Sequence, residues 1–217
     1  MFRIKICGIT SPRDAEMAAE LGADAVGVNF YRGSRRCISR EEAARIVRSV
    51  KDRILVVAVF VDESPAVIVP LCRDLGIGAV QLAGDEPAEQ ARSLPLRRIK
   101  TVRPAAGGSF EPGAGYPCEA LLLDAGVRGE YGGTGVAVDW ESAAAWAAAV
   151  RKEPSAGRPC ILAGGLNPGN VAAAIRFVRP DGVDVASGVE AAPGAKDPRK
   201  LEAFIRNARE GFAGAAS

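Results

Sequence analysis

The sequence predicts an α/β fold, a single (β/α)8 barrel of the TIM type over residues 1–217. Three observations predict it. Apolar runs of strand length alternate with amphipathic helical patterns from one end to the other, as βα units on a parallel sheet require. The length, 217 residues, suits one such barrel, and no linker divides the chain. The last two strand-like runs, in LAGGLNPGNV (162–171) and VDVASGVE (183–190), each break at small residues before a helix-forming stretch. The structural alternative is a doubly wound open sheet. No G-x-G-x-x-G follows the first strand, which counts against a dinucleotide-binding sheet.

The elements follow in order. Strands are expected near 2–7, 24–30, 54–61, 78–82, 96–102, 119–124, 159–163 and 182–186. Helices are expected near 11–21, 40–50, 64–75, 86–93, 140–152, 168–178 and 198–210. Ser11-Pro12, Ser64-Pro65, Asn167-Pro168 and Asp197-Pro198 each pair a capping residue with a proline at the first helical position. Ser39 with Glu42 fits a capping box. The segment 103–117 is rich in Gly and Pro, so the fifth helix is expected to be vestigial or missing.

Composition narrows the function. Hydrophobic residues make up 48% of the chain and the formal net charge is +2, with neither sign clustered. Neither a nucleic-acid surface nor a membrane-binding face is indicated. The apolar run ILVVAVFV at 54–61 is too short to span a bilayer, and MFRIKICGIT lacks a signal-peptide core. The five cysteines (7, 37, 72, 118 and 160) are odd in number and form no C-x-x-C, so neither a disulfide framework nor a zinc site is expected. A cytoplasmic location fits free thiols best. There is no histidine, so Ser-His-Asp triads and histidine metal sites are excluded, and no metal is expected. Proton transfer falls to Cys, Asp, Glu, Lys or Tyr.

A barrel places its site where strands end. The paired turns at Gly164–Gly165 and Ser187–Gly188 would bring small residues and backbone N–H groups together. Such a place holds the phosphate of a small-molecule ligand; ordinary tight turns are the plainer reading. Cys7 ends the first strand and shares a face with Lys5 and Arg3, opposite Ile4 and Ile6, so it should point inward. Lys5 should then be buried below it and paired, with Asp184 as candidate partner, because a lone buried ammonium is too costly. Asp124 directly follows three leucines at a strand end, as a cap, an ion pair or a site residue. The Gly-rich stretch after it could fold over a ligand. Arg36 lies in the loop after the second strand. Its position alone favours a solvated side chain, although a guanidinium there could also clamp a carboxylate. Lys100, near the end of strand five, is an ion-pair lysine or a Schiff-base lysine.

Together these segments resemble the phosphoribosylanthranilate isomerase family of tryptophan biosynthesis. KICGIT (5–10), DAVGVNF (24–30), SRRCIS (34–39), VVAVFVD (56–62), VQLAG (80–84), LLLDAGVRGEYGGTGVAVDW (121–140), LAGGLNPGNV and GVDVASGVEAAPGAKDP carry the resemblance in order over nearly the whole chain. It implies a cofactor-free, metal-free Amadori rearrangement of an N-linked phosphoribosyl anthranilate; the chain is expected to be a monomer or a homodimer. It implies that Cys7 is the general base, Asp124 the general acid and Arg36 the holder of the anthranilate carboxylate, with Gly164, Gly165, Ser187 and Gly188 around the phosphate. Should Asp124 not be the acid, Asp139 or Glu130 would be next. The chain departs from the family pattern at Ala83, where histidine is usual, at Cys37, where an aromatic residue is common, and at Val136 in the Gly-rich loop. Two other functions compete: a Schiff-base aldolase using Lys100, and a degenerate barrel that binds a phosphate ligand without turnover.

Overall fold

The computed structural model describes residues 2–103, 115–124, 139–152 and 157–215. Eight parallel strands close into a barrel in chain order: β1 (Ile4–Ile6), β2 (Ala25–Asn29), β3 (Leu55–Phe60), β4 (Ala79–Leu82), β5 (Arg97–Val102), β6 (Ala120–Leu123), β7 (Cys160–Leu162) and β8 (Gly182–Val185). Closure comes from β8 pairing with β1, with Lys5 opposite Asp184. Around the barrel lie α1 (Pro12–Leu21), α2 (Arg40–Val50), α3 (Pro65–Leu75), α4 (Ala88–Arg92), α5 (Trp140–Lys152), α6 (Val171–Val178) and α7 (Pro198–Ala215). No helix among the described residues is long and apolar enough to cross a membrane. The expectation about the fifth helix falls mostly on 104–114, outside the described residues.

The caps explain most helix starts. Ser11 Oγ accepts from the Asp14 N–H, and Ser39 and Glu42 form the reciprocal box. Asp197 Oδ1 accepts from the N–H groups of Arg199 and Lys200. Asn167-Pro168 behaves differently. Asn167 Oδ1 accepts from Gly169 N–H and Asn170 Oδ1 accepts from Asn167 N–H, both at 2.8 Å. This tight turn occupies the residues expected to open the helix, and α6 starts only at Val171. Likewise Ser187 opens not an α-helix but a single 3-10 turn (Ser187–Val189). A short antiparallel hairpin, β9 (Glu190–Ala192) and β10 (Ala195–Lys196), then precedes α7.

Strand parity divides the molecule into two cores. Outward residues such as Ile4, Ile6, Val26, Val28, Leu121 and Leu123 pack under the helices. Inward residues Phe2, Ala25, Val57, Ala79, Ile99 and Leu122 fill the barrel floor. Two residues further along their strands, the inward positions turn polar at Gln81 and Thr101, both buried. Polar side chains are costly there unless paired. Gln81 Nε2 donates to Thr101 Oγ1 (3.1 Å), and Lys5 Nζ donates to Gln81 Oε1 and to Asp184 Oδ1, each at 2.9 Å. The expected Lys5–Asp184 pair is therefore present, with Lys5 fully buried.

Candidate active site

Above this polar layer the barrel mouth opens as a pocket of about 820 Å3, counting its solvent-filled entrance. Cys7, Arg36, Asp124, Gly164, Gly165 and Ser187 all line it. β1 and β6, which carry Cys7 and Asp124, are separated by β7 and β8 on the shorter way round. A thiol and a carboxylate thus reach one cavity from different sides. Gly188 does not line the pocket. A Cβ there would collide with the Leu166 carbonyl oxygen, so glycine lets the turn after β8 press against the turn after β7. Gly164 and Gly165 have φ of 85° and 66°, which an L side chain rarely adopts.

Cys7 is half-buried, and its N–H is anchored on the Val185 carbonyl at 2.7 Å. Burial pushes its thiol up from the ordinary range; Lys5 opposes that rise, Asp184 adds to it, and Lys196 opposes it again. Gly27 of β2 makes space for the pair below the pocket. A Cβ at that position would lie 2.8 Å from Cys7 Sγ and 3.1 Å from Lys5 Nζ.

Arg36 corrects the expectation drawn from its position. The side chain is buried rather than solvated, and Nε and Nη2 grip Glu190 Oε1 and Oε2 at 2.7 and 2.6 Å. Glu190 also accepts from Lys196 Nζ at 2.9 Å. Lys196 Nζ in turn donates to the carbonyls of Cys7 (2.7 Å) and Ala186 (3.1 Å). The β9–β10 hairpin is thereby tied to the ends of β1 and β8. Burial raises the Glu190 carboxyl, but hydrogen bonds from Arg36 and the charge of Lys196 outweigh it and hold the group below its ordinary value. Gly8 (φ 69°) lets the Arg36 chain cross, since a Cβ there would meet its Cδ.

Glu190, Lys196, Gln81 and Thr101 did not figure among the expected site residues. Gln81 carried a readable signal, a lone amide at an inward position between apolar neighbours. Glu190 and Lys196 carried none that separates them from surface charges.

Lys100 points away from the barrel interior. Its Nζ donates to Glu86 Oε2 and the Gly84 carbonyl, both at 2.6 Å, so the ion-pair reading holds and the Schiff-base reading fails. Asp139 accepts from Ser142 N–H at the start of α5, whereas Glu130, Val136 and the rest of 125–138 lie outside the described residues. Ala83, the residue at which the chain departs from the family's usual histidine, lines the pocket. Cys37 forms an isolated parallel bridge with Asn29.

A (β/α)8 barrel that brings a thiol, a carboxylate and an anchored guanidinium to its C-terminal mouth belongs to the class of barrel enzymes working by acid–base chemistry. Comparison with known proteins makes the assignment particular. The chain matches the profile described as N-(5′-phosphoribosyl)anthranilate (PRA) isomerase over residues 4–207. It is 46% identical over 210 residues to the N-(5′-phosphoribosyl)anthranilate isomerase of Trichlorobacter lovleyi, covering 97% of this chain and 99% of that one. The crystal structure of phosphoribosyl anthranilate isomerase from Thermotoga maritima is 38% identical and superposes with a TM-score of 0.82 over 97% of this chain and all of that chain. A further isomerase structure, in complex with reduced 1-(o-carboxyphenylamino)-1-deoxyribulose 5-phosphate, is 37% identical with a TM-score of 0.79, again over 97% of this chain and all of that one. The chain belongs to the N-(5′-phosphoribosyl)anthranilate isomerase family.

Proposed function

We propose that this chain converts N-(5-phosphoribosyl)anthranilate into 1-(2-carboxyphenylamino)-1-deoxyribulose 5-phosphate by an Amadori rearrangement, as a step of tryptophan biosynthesis. The observation that carries the reading is the meeting of Cys7 and Asp124 in one pocket beside two interlocked glycine-containing turns. Asp124 gives its proton to the furanose ring oxygen as the C1′–O bond breaks, and the anthranilate nitrogen lone pair forms the Schiff base. Cys7, as thiolate, removes the C2′ proton, and the electrons move onto the iminium nitrogen to give an enolamine. Tautomerisation of the enolamine yields the ketone. One acid and one base suffice, so no cofactor is invoked.

Arg36 holds the anthranilate carboxylate with the edge of its guanidinium that Glu190 leaves open. The turns at Gly164–Gly165 and Ser187–Gly188 hold the phosphate, with Gly188 contributing by close packing. The protein acts as a monomer or a homodimer. Five cysteines without disulfides support a cytoplasmic setting.

The test is loss of substrate fluorescence with purified protein, alongside Cys7→Ser and Asp124→Asn. Wild type turns over. Each variant loses on the order of 10² to 10⁴-fold in kcat, the usual range for a positioned acid or base. Absence of turnover in the wild type overturns the reading, and normal turnover in Asp124→Asn removes that residue as the acid.

A further inference from the structure

Cys7 must be a thiolate to accept a proton, yet burial works against it. A buried anion needs a nearby positive group. The groups around Cys7 can be taken element by element. β1 supplies Lys5 directly below it, and β8 supplies Asp184. β10 supplies Lys196, whose Nζ is bound to the Cys7 carbonyl oxygen. The loop after β2 supplies Arg36, neutralised by Glu190. β6 supplies Asp124 across the pocket, and β2 supplies only Gly27 and Asn29.

Lys5 is the group suited to the sulfur. An ammonium has three donors. One goes to Gln81 Oε1 and one to Asp184 Oδ1. The third is taken by neither, and the positive charge of Lys5 favours the Cys7 thiolate. Nζ and Sγ also converge on the same space over Gly27. Gln81 cannot turn away, because its Nε2 is held by Thr101. We propose that Lys5 is a positioning residue that keeps a positive charge against the Cys7 sulfur and so stabilises the thiolate, with Asp184, Gln81 and Thr101 fixing it in place.

Asp184 has two opposite effects. It keeps Lys5 charged in the interior and, as a second anion near the sulfur, it disfavours the thiolate. The pair thus sets how readily the thiolate forms. This inference rests on the reading of Cys7 as the base, but thiolate formation is measurable without catalysis.

The experiment is the rate of iodoacetamide alkylation of Cys7 between about pH 7 and 9, bracketing the ordinary thiol value. Peptide mass spectrometry separates Cys7 from the partly exposed Cys37 and Cys118. In Lys5→Met the rate at pH 8 falls about tenfold or more, the effect of losing an opposite charge at contact range. The double variant Lys5→Met/Asp184→Leu leaves no orphan charge inside the barrel and should fold at least as well as the pair it replaces. It too alkylates more slowly than wild type.

A wild-type alkylation rate in Lys5→Met or in the double variant overturns the inference and leaves the base role of Cys7 standing. Slower alkylation in Lys5→Met with no parallel loss of kcat/KM at pH 8 upholds the charge assignment and instead overturns Cys7 as the base.

Discussion

Replacing Gly27 with alanine adds one methyl group where Cys7 and Lys5 leave no space for it. The backbone at Gly27 is not left-handed, so alanine adopts it without strain, and the whole effect arises inside the barrel. The new Cβ would lie 2.8 Å from Cys7 Sγ and 3.1 Å from Lys5 Cε and Nζ. Ordinary contacts between such atoms are about 3.5–4.0 Å, so the sulfur must retreat by roughly 1 Å. Lys5 cannot absorb the change, being held by Gln81 and Asp184. A displacement of about 1 Å at a reacting atom costs on the order of 10²-fold in rate. Overpacking of this kind costs roughly 1–3 kcal/mol in stability. We therefore expect kcat to fall about a hundredfold in a protein that still folds. The turns proposed to hold the phosphate are untouched, so a reduced product analogue should bind nearly as in wild type. Steady-state kinetics, a binding titration and a thermal melt on one preparation separate the three quantities. Undiminished kcat in a folded Gly27→Ala variant would refute the claim that the sulfur position is fixed by packing.

Arg36→Met should raise KM far more than it lowers kcat, because a carboxylate clamp acts alike on ground and transition states; steady-state kinetics checks this, and an unchanged KM would remove the clamp. The protein should remain folded, since Glu190 keeps Lys196 as its partner. Glu190 also predicts a pH dependence of stability. Its carboxyl is held below the ordinary 4.5, so the native state binds its proton less readily than the unfolded chain does. The stabilisation is complete above that value and is lost as pH falls through the lower native one. A Glu190→Gln variant should therefore lose most stability relative to wild type near neutrality and show a smaller gap in strong acid. Denaturant titrations along a pH series test it; a gap that widens in acid would contradict the sign.

Most of the fold was legible because strand and helix periods are local. The inward and outward alternation on β1 was enough to place Lys5 beneath Cys7 and to name Asp184 as its partner across the closing strands. The turn after β7 was misjudged because Asn170 Oδ1 accepts from the Asn167 N–H and Asn167 Oδ1 from the Gly169 N–H, closing a turn before the helix begins. Arg36 was misjudged because its partner lies 154 residues away, on a hairpin that no local pattern announces. The orientation of Lys100 follows from parity with Ile99 and Thr101, yet its ion pair with Glu86 depends on the loop after β4 and could not be read from β5 alone.

The barrel closes through contacts between its first and last quarters, and this governs when the protein becomes an enzyme. Lys5 waits for Asp184, the end of β1 waits for Lys196, and Arg36 waits for Glu190. A chain emerging from the ribosome has its cysteine and arginine in hand long before their counterparts are synthesised. Until β8 and the hairpin arrive, the Lys5 ammonium has no anion and must stay in water. The nascent first half therefore has reason to keep this strand open. Such long-range pairings slow folding, and they also couple activity to completion of the whole ring. A released fragment lacking the β9–β10 hairpin would carry Cys7 and Arg36 without the partners that hold them.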